Sequence, residues 1–302
     1  MATSSARSMR ELPAVAAARR VLLQRLSDVD RAVVCAGAKR ATSESIHRLR
    51  VATRRASAVL QAFRPFVPRR PRRWLMRALR RMRHAAGEAR DLDVLIARYR
   101  EPGSLPGPGL RCRVLHMLVA LRPATRQSIV DQASAPRRRT WRVHAADVVA
   151  GLRLSSADAS VAACARRRCR RLAVDFLKRA DRTLRDGRHV HRVRIEGKRL
   201  RYAVEVCIAV GGRKAVESCD RPLRSLQKRL GDYTDHAAAA RRLREWANDG
   251  RTRRARHDLR TARREEVRHT REGLRRCIRW WNATGRRKVS DRVTGLVRKD
   301  AT

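Results

Sequence analysis

Acidic residues are scarce in this chain: 28 Asp and Glu stand against 75 Lys and Arg, a formal charge of +47 over 302 residues. Aromatics are scarce too, at 4%. Proteins that grip single-stranded nucleic acid by stacking interleave aromatic with basic residues, and that pattern is missing. No apolar run approaches the eighteen residues of a membrane span. The polar segment 1–11, and Arg19-Arg20 where a signal peptide would have its cleavage region, speak against secretion and for a cytoplasmic protein. The seven cysteines include no Cys-x-x-Cys pair, so they read as reduced packing residues rather than a disulfide framework or a zinc site. Walker and kinase signatures are absent, as are alternating strand patterns.

What is abundant is arginine. Only seven of the basic residues are lysine. The guanidinium fork matches phosphate oxygens bidentately, and this excess of charge exceeds what solubility asks, so the expected partner is a polyanion. Charge alone would also fit disorder, but 43% of residues are apolar and recur with helical period.

One phrase occurs twice. His47-Arg48-Leu49-Arg50-Val51-Ala52-Thr53-Arg54-Arg55 returns 144 residues later as His191-Arg192-Val193-Arg194-Ile195-Glu196-Gly197-Lys198-Arg199. The same offset carries Arg77 onto Arg221, Leu79 onto Leu223, Arg80 onto Arg224, Gly87 onto Gly231 and Asp91 onto Asp235. The chain therefore reads as a duplicated unit. On a helix, His47, Arg50 and Arg54 share one face opposite Leu49, Ala52, Ala56 and Leu60; His191, Arg194, Lys198 and Arg201 repeat that face in the second copy. Each stripe is about 10 Å long, suited to an extended polyanion.

Helices are expected over Pro13 to about Val34, Thr42/Ser43 to about Phe66, Arg73–Arg100 and Leu110 to about Gln132, then over Ala157–Leu184, a second basic helix from the Asp186-Gly187 loop to about Val210 and a Gly211-Gly212 stop, Val216–Trp246 and Arg251–Trp281. After Asn282 a frayed basic tail is expected. The domain is placed at 12–282, with half-repeats of about 12–135 and 155–282, followed by a 283–302 tail. Two sets of about four long helices with short connections are bundle architecture.

These segments resemble the CHAD family, the conserved-histidine α-helical domain. The resemblance rests on His47–Arg55, Arg90-Asp91-Leu92-Asp93-Val94, His191–Tyr202, and Leu226-Gln227-Lys228-Arg229-Leu230-Gly231-Asp232 with Asp235. It implies an all-α fold of two pseudo-symmetric four-helix bundles around a central basic cavity that binds inorganic polyphosphate. Some family members carry a triphosphate-hydrolysing tunnel domain opening on Glu-x-Glu-x-Lys, a pattern missing here, so the expectation is a stand-alone binding module without enzymatic activity, cofactor or metal, directed to polyphosphate granules. Thr234 and Ala237 stand where the first copy has Arg90 and Asp93, which argues against a symmetric two-carboxylate catalytic site.

The candidate polyphosphate-binding residues are His47, Arg50, Arg54, Arg55, Arg80, His191, Arg194, Lys198, Arg199, Arg201 and Arg224. The histidines read as phosphate-contacting or structural groups; a metal site would need convergent acidic or thiol ligands that these cationic surroundings disfavour. Asp91, Asp93, Asp232 and Asp235 read as ion-pair partners that orient arginines, and Trp280-Trp281 as packing at a bundle end. Two alternatives remain at this stage: a nucleoid-associated basic protein binding nucleic acid through charge, and a metal-dependent phosphoryl-transfer enzyme using His47 or His191 with Asp91 and Asp93.

Overall fold

Ser, Thr and Asp stand where helices begin. Thr42 accepts the Ser45 amide at 3.1 Å and starts one basic helix, Asp186 accepts the His189 amide at 2.9 Å and starts the other, and Thr252 accepts the Ala255 amide at 3.1 Å. The structure, a computed structural model, describes residues 3–153, 161–180, 183–210, 214–249 and 252–298. The described residues form helices and no strands: α1 (Thr3–Gly37), α2 (Ser43–Ala62), α3 (Arg69–Arg100), α4 (Pro108–Ala120), α5 (Arg122–Ala133), α6 (Ala135–Ala150), α7 (Val161–Ala180), α8 (Gly187–Ala209), the single turn α9 (Lys214–Glu217), α10 (Asp220–Asn248), α11 (Arg253–Trp280) and, after a π-turn over Trp281–Gly285, α12 (Arg286–Arg298). The expected starts at Ala157 and Arg251, and the Gly211-Gly212 stop, lie outside the described residues.

The all-α expectation holds, and four details of the helix layout differ. α1 starts at Thr3, because the ten residues ahead of Pro13 contain no glycine or further proline to stop it. The helix expected over Leu110–Gln132 is two, α4 and α5. Pro123 has no N–H to give to Val119, and the chain tightens at Leu121, whose amide returns to Leu118 O at 3.2 Å. α6 was not expected as a helix; Trp141 and Val148, seven residues apart, form its buried edge. The segment after Asn282 is no frayed tail. Val289 and Val293 are buried as α12 packs on α7, and Gly285 allows the turn: a Cβ there would lie 2.6 Å from the Trp280 ring.

The main core joins both halves. α1, α2, the start of α3 and α6 contribute Leu22, Leu60, Phe63, Leu75 and Trp141, while α7, α8, α10 and the end of α11 contribute Phe176, Leu200, Leu226 and Trp281. A second core gathers the end of α3, α4, α10 and α11 around Leu95, Tyr99, Leu118 and Leu243. A third sits under the start of α2. Residues of the repeated phrase serve as packing: Leu49 and Val193 are buried, and at Gly197 a Cβ would come within 2.9 Å of Leu226, so glycine lets α8 close onto its neighbours. None of the seven cysteines forms a disulfide among the described residues, and Trp281 is fully buried.

α2 packs against α8 and α3, and α8 against α10. That arrangement brings the two basic stripes face to face.

Candidate functional site

Between these four helices lies a cavity of about 210 Å³. Its walls are His47, Arg50 and Arg54 of α2, Arg90, Asp91, Val94 and Leu95 of α3, Arg194 and Lys198 of α8, and Asp235, Ala238 and Ala239 of α10. Four arginines and one lysine therefore face two carboxylates, and each carboxylate is engaged. Asp91 accepts from Arg50 at 3.2 Å and Asp235 lies 3.6 Å from Arg194, the same pair made at equivalent positions of the repeat. Arg54 and Lys198, equivalent one turn further along, make no ion pair with a carboxylate among the described residues. Arg90 donates to the Ser43 hydroxyl at the start of α2.

Packing like charges away from water shows in their titration. Burial, followed by Arg54, Arg194 and Arg50, pushes the Lys198 ammonium down to about 7, against Asp235 pulling the other way. Burial also lowers Arg50 and Arg194, with Arg54 adding to the effect on each. His47 is lowered by burial and then by Arg90; His191 by burial and then by Arg194, Arg241 and Lys198. Without an anion the site resists its own charge. A polyanion would relieve that cost, since a negative neighbour favours every protonated form.

The structure thus brings five of the eleven expected site residues into one cavity: His47, Arg50, Arg54, Arg194 and Lys198. His191 lies exposed beside Arg194 and Lys198. The other five sit elsewhere, for electrostatic reasons that the stripe pattern does not carry. Arg55 (2.8 Å) and Arg201 (2.6 Å) are both drawn to Glu205 on another face, where Arg201 also stacks on Tyr202 at 4.3 Å. Arg199 pairs with Glu196 at 2.9 Å and Arg224 with Asp220 at 2.8 Å, both on exposed surface. Arg80 is exposed.

Two arginines belong here that the stripes did not indicate. Arg90 lines the cavity. Arg83, seven residues before it and so on the same face of α3, is lowered by burial and then by Arg54. That spacing of seven was the available signal. Three of the four expected aspartates hold arginines, Asp91 and Asp235 in the cavity wall and Asp93, buried, holding Arg122 at 2.9 Å and Arg126 at 3.8 Å; Asp232 is exposed, with no ion pair among the described residues. Among the described residues no three His, Cys, Asp or Glu side chains converge on a metal-sized space, and no helix is long and apolar enough to cross a membrane.

An all-helical fold whose equivalent helices face each other across a cationic cavity defines a class of helical module built around an anion-sized space. The CHAD domain profile matches residues 17–244, and the chain belongs to that family. Among solved structures, the crystal structure of the CHAD domain from the plant Ricinus communis is similar, with 25% identity and a TM-score of 0.71 over 86% of this chain and 91% of that one. PptA from Streptomyces chartreusis shares the fold, with a TM-score of 0.57 at 17% identity over 89% of this chain and 99% of that one. No curated protein matches the chain.

Proposed function

We propose that this protein binds inorganic polyphosphate in the cavity between α2 and α8 and leaves it chemically unchanged, acting as a cytoplasmic binding module that associates with polyphosphate-rich bodies. The observation that carries the reading is the pair Arg54 and Lys198: two cations at equivalent turns of facing helices, partly buried, unneutralised, and close enough to Arg50 and Arg194 to hold Lys198 near 7. Membership of the CHAD family, which is linked to polyphosphate, points the same way.

A cavity of about 210 Å³ accepts a flexible, unbranched phosphate chain and excludes a DNA duplex. The carboxylates a divalent ion would need at this place, Asp91 and Asp235, are each spent on an arginine, which supports binding over phosphoryl transfer.

The test is a competition at near-physiological salt. Chains of tens of phosphates should displace labelled duplex DNA, whereas duplex at equal phosphate concentration should displace polyphosphate poorly. Polyphosphate incubated with the protein and magnesium or manganese should be recovered at its original length. Sequence-selective duplex binding that survives excess polyphosphate, or metal-dependent phosphate release abolished by Asp91→Ala, would overturn the proposal.

A further inference from the structure

We propose that a second phosphate site lies at the opposite end of α2, where Arg64, Arg72, Arg73, Arg77 and Arg168 line a hollow of about 500 Å³, and that it takes a compact, multiply charged phosphate group, inorganic or ester-linked, of the size of a triphosphate.

Gln61 and Met76 complete the lining, so no carboxylate is present. That sets this hollow apart from the basic one between α7 and α8, where Asp175 and Glu196 stand among the cations. Among the described residues none of the five arginines makes an ion pair, and Arg168 donates to the neutral Gln61 amide oxygen. Arg72 Nε is buried with no hydrogen-bond partner, a condition that buried donors rarely keep. Arg72 is lowered by burial and then by Arg64, Arg69 and Arg73; Arg168 by burial and then by Arg171, Arg199 and Arg64. The first turn of α3, which takes no side-chain cap, adds the positive end of a 32-residue helix beside Arg72 and Arg73. A ligand that answers five close cations needs several negative charges within a few ångströms and oxygens for guanidinium forks, which is the chemistry of linked phosphates. No aromatic ring lines the hollow, so a nucleobase finds nothing to stack on.

The site is distinct from the central cavity. No residue lines both, and along α2 Gln61 follows Arg54, the nearest wall of the central cavity on that helix, by seven residues, about 10 Å. It does not rest on the polyphosphate reading.

Calorimetric titration with tripolyphosphate tests it on four proteins: wild type, Arg54→Gln/Lys198→Gln in the central cavity, Arg72→Gln/Arg168→Gln in the hollow, and the fourfold variant. The central double variant should keep a saturable event that the fourfold variant loses or binds at least about tenfold more weakly. ATP should match tripolyphosphate within about threefold, since only its phosphates are read. Removing repulsion should let ligand-free Arg72→Gln/Arg168→Gln melt no lower than wild type. Should that pair nevertheless fail to fold, Arg77→Gln, at an exposed position, should weaken the same event several-fold. A fourfold variant, or an Arg77→Gln protein, that binds tripolyphosphate as well as its parent overturns the site; ATP binding more than tenfold tighter than tripolyphosphate overturns recognition through phosphate alone. If the central cavity holds no polyphosphate, the event lost on changing Arg72 and Arg168 is still there to be read.

Discussion

Arg54 of α2 is the charged neighbour that acts most strongly on Lys198 of α8, across the boundary between the two halves of the chain. The two residues are equivalent positions of a duplicated phrase. Replacing Arg54 by Gln should therefore raise the Lys198 pKa from about 7, by about one unit, or ~1.4 kcal/mol of relieved repulsion. Titration of the Lys198 side-chain carbon by NMR in the variant would show it; an unchanged midpoint would mean that burial, Arg194 and Arg50 set the value without Arg54.

Stability and affinity should move in opposite directions with pH. The unfolded chain holds the Lys198 proton up to about 10.4, while the folded, ligand-free protein releases it near 7. Between those values the unfolded state binds more protons, so stability of the ligand-free protein should rise from pH 7 towards 10. Bound polyphosphate restores the proton, so affinity should fall over the same interval. His47 and His191, lowered below 6.5 in the free protein, should extend the affinity gain below pH 6.5 as they charge on binding. Lys198→Gln should flatten the alkaline arm and His47→Gln/His191→Gln the acidic one, both followed by titrations from pH 5.5 to 9.5.

Away from the cavity, Glu266 of α11 is buried and accepts from Arg98 at 2.6 Å and Tyr99 at 3.0 Å, with His236 Nδ1 at 2.6 Å. Burial opposes its ionisation, but His236 and Arg98 prevail and hold its carboxyl below the usual range. Its contribution is thus present above about pH 4.5 and is lost as pH falls through the lowered value. Glu266→Gln should cost about 3 kcal/mol by leaving the Arg98 guanidinium uncompensated, seen as a lower urea midpoint at unchanged slope, with polyphosphate affinity at neutral pH unaltered.

The packing of α12 gives a sharper stability test. Val293 is fully buried, so Val293→Ala should cost about 1–3 kcal/mol in urea unfolding. A frayed tail would make the same substitution silent.

The helical class, the capping of α2 by Thr42 and the cavity residues His47, Arg50, Arg54, Arg194 and Lys198 were legible because they depend on local signals: periodicity, a cap residue and a repeated phrase. What escaped depends on distant residues. Arg55 and Arg201 belong to basic helices that the sequence marked, yet both turn to Glu205, whose position opposite Arg55 is set by the packing of α2 on α8 and not by spacing in the chain. Arg90 lines the cavity from α3, in a segment read for its aspartates, and Arg83 stands two turns before it, near Arg54. α12 hid its apolar edge among basic residues, and only contact with α7 and Trp281 shows that Val289 and Val293 are core.

The proposed site holds polyphosphate through particular cations of α2 and α8 and not through net charge at large. Equilibrium titration with chains of tens of phosphates, comparing Arg54→Gln/Lys198→Gln with Arg80→Gln/Arg224→Gln, tests it most directly, since both variants remove two cations and the second pair lies exposed away from the cavity. The cavity variant should lose about 1.5–3 kcal/mol per contact and show a shallower fall of log affinity with log salt, while the surface variant stays within about 0.5 kcal/mol of wild type. Equal losses in the two variants would contradict the claim.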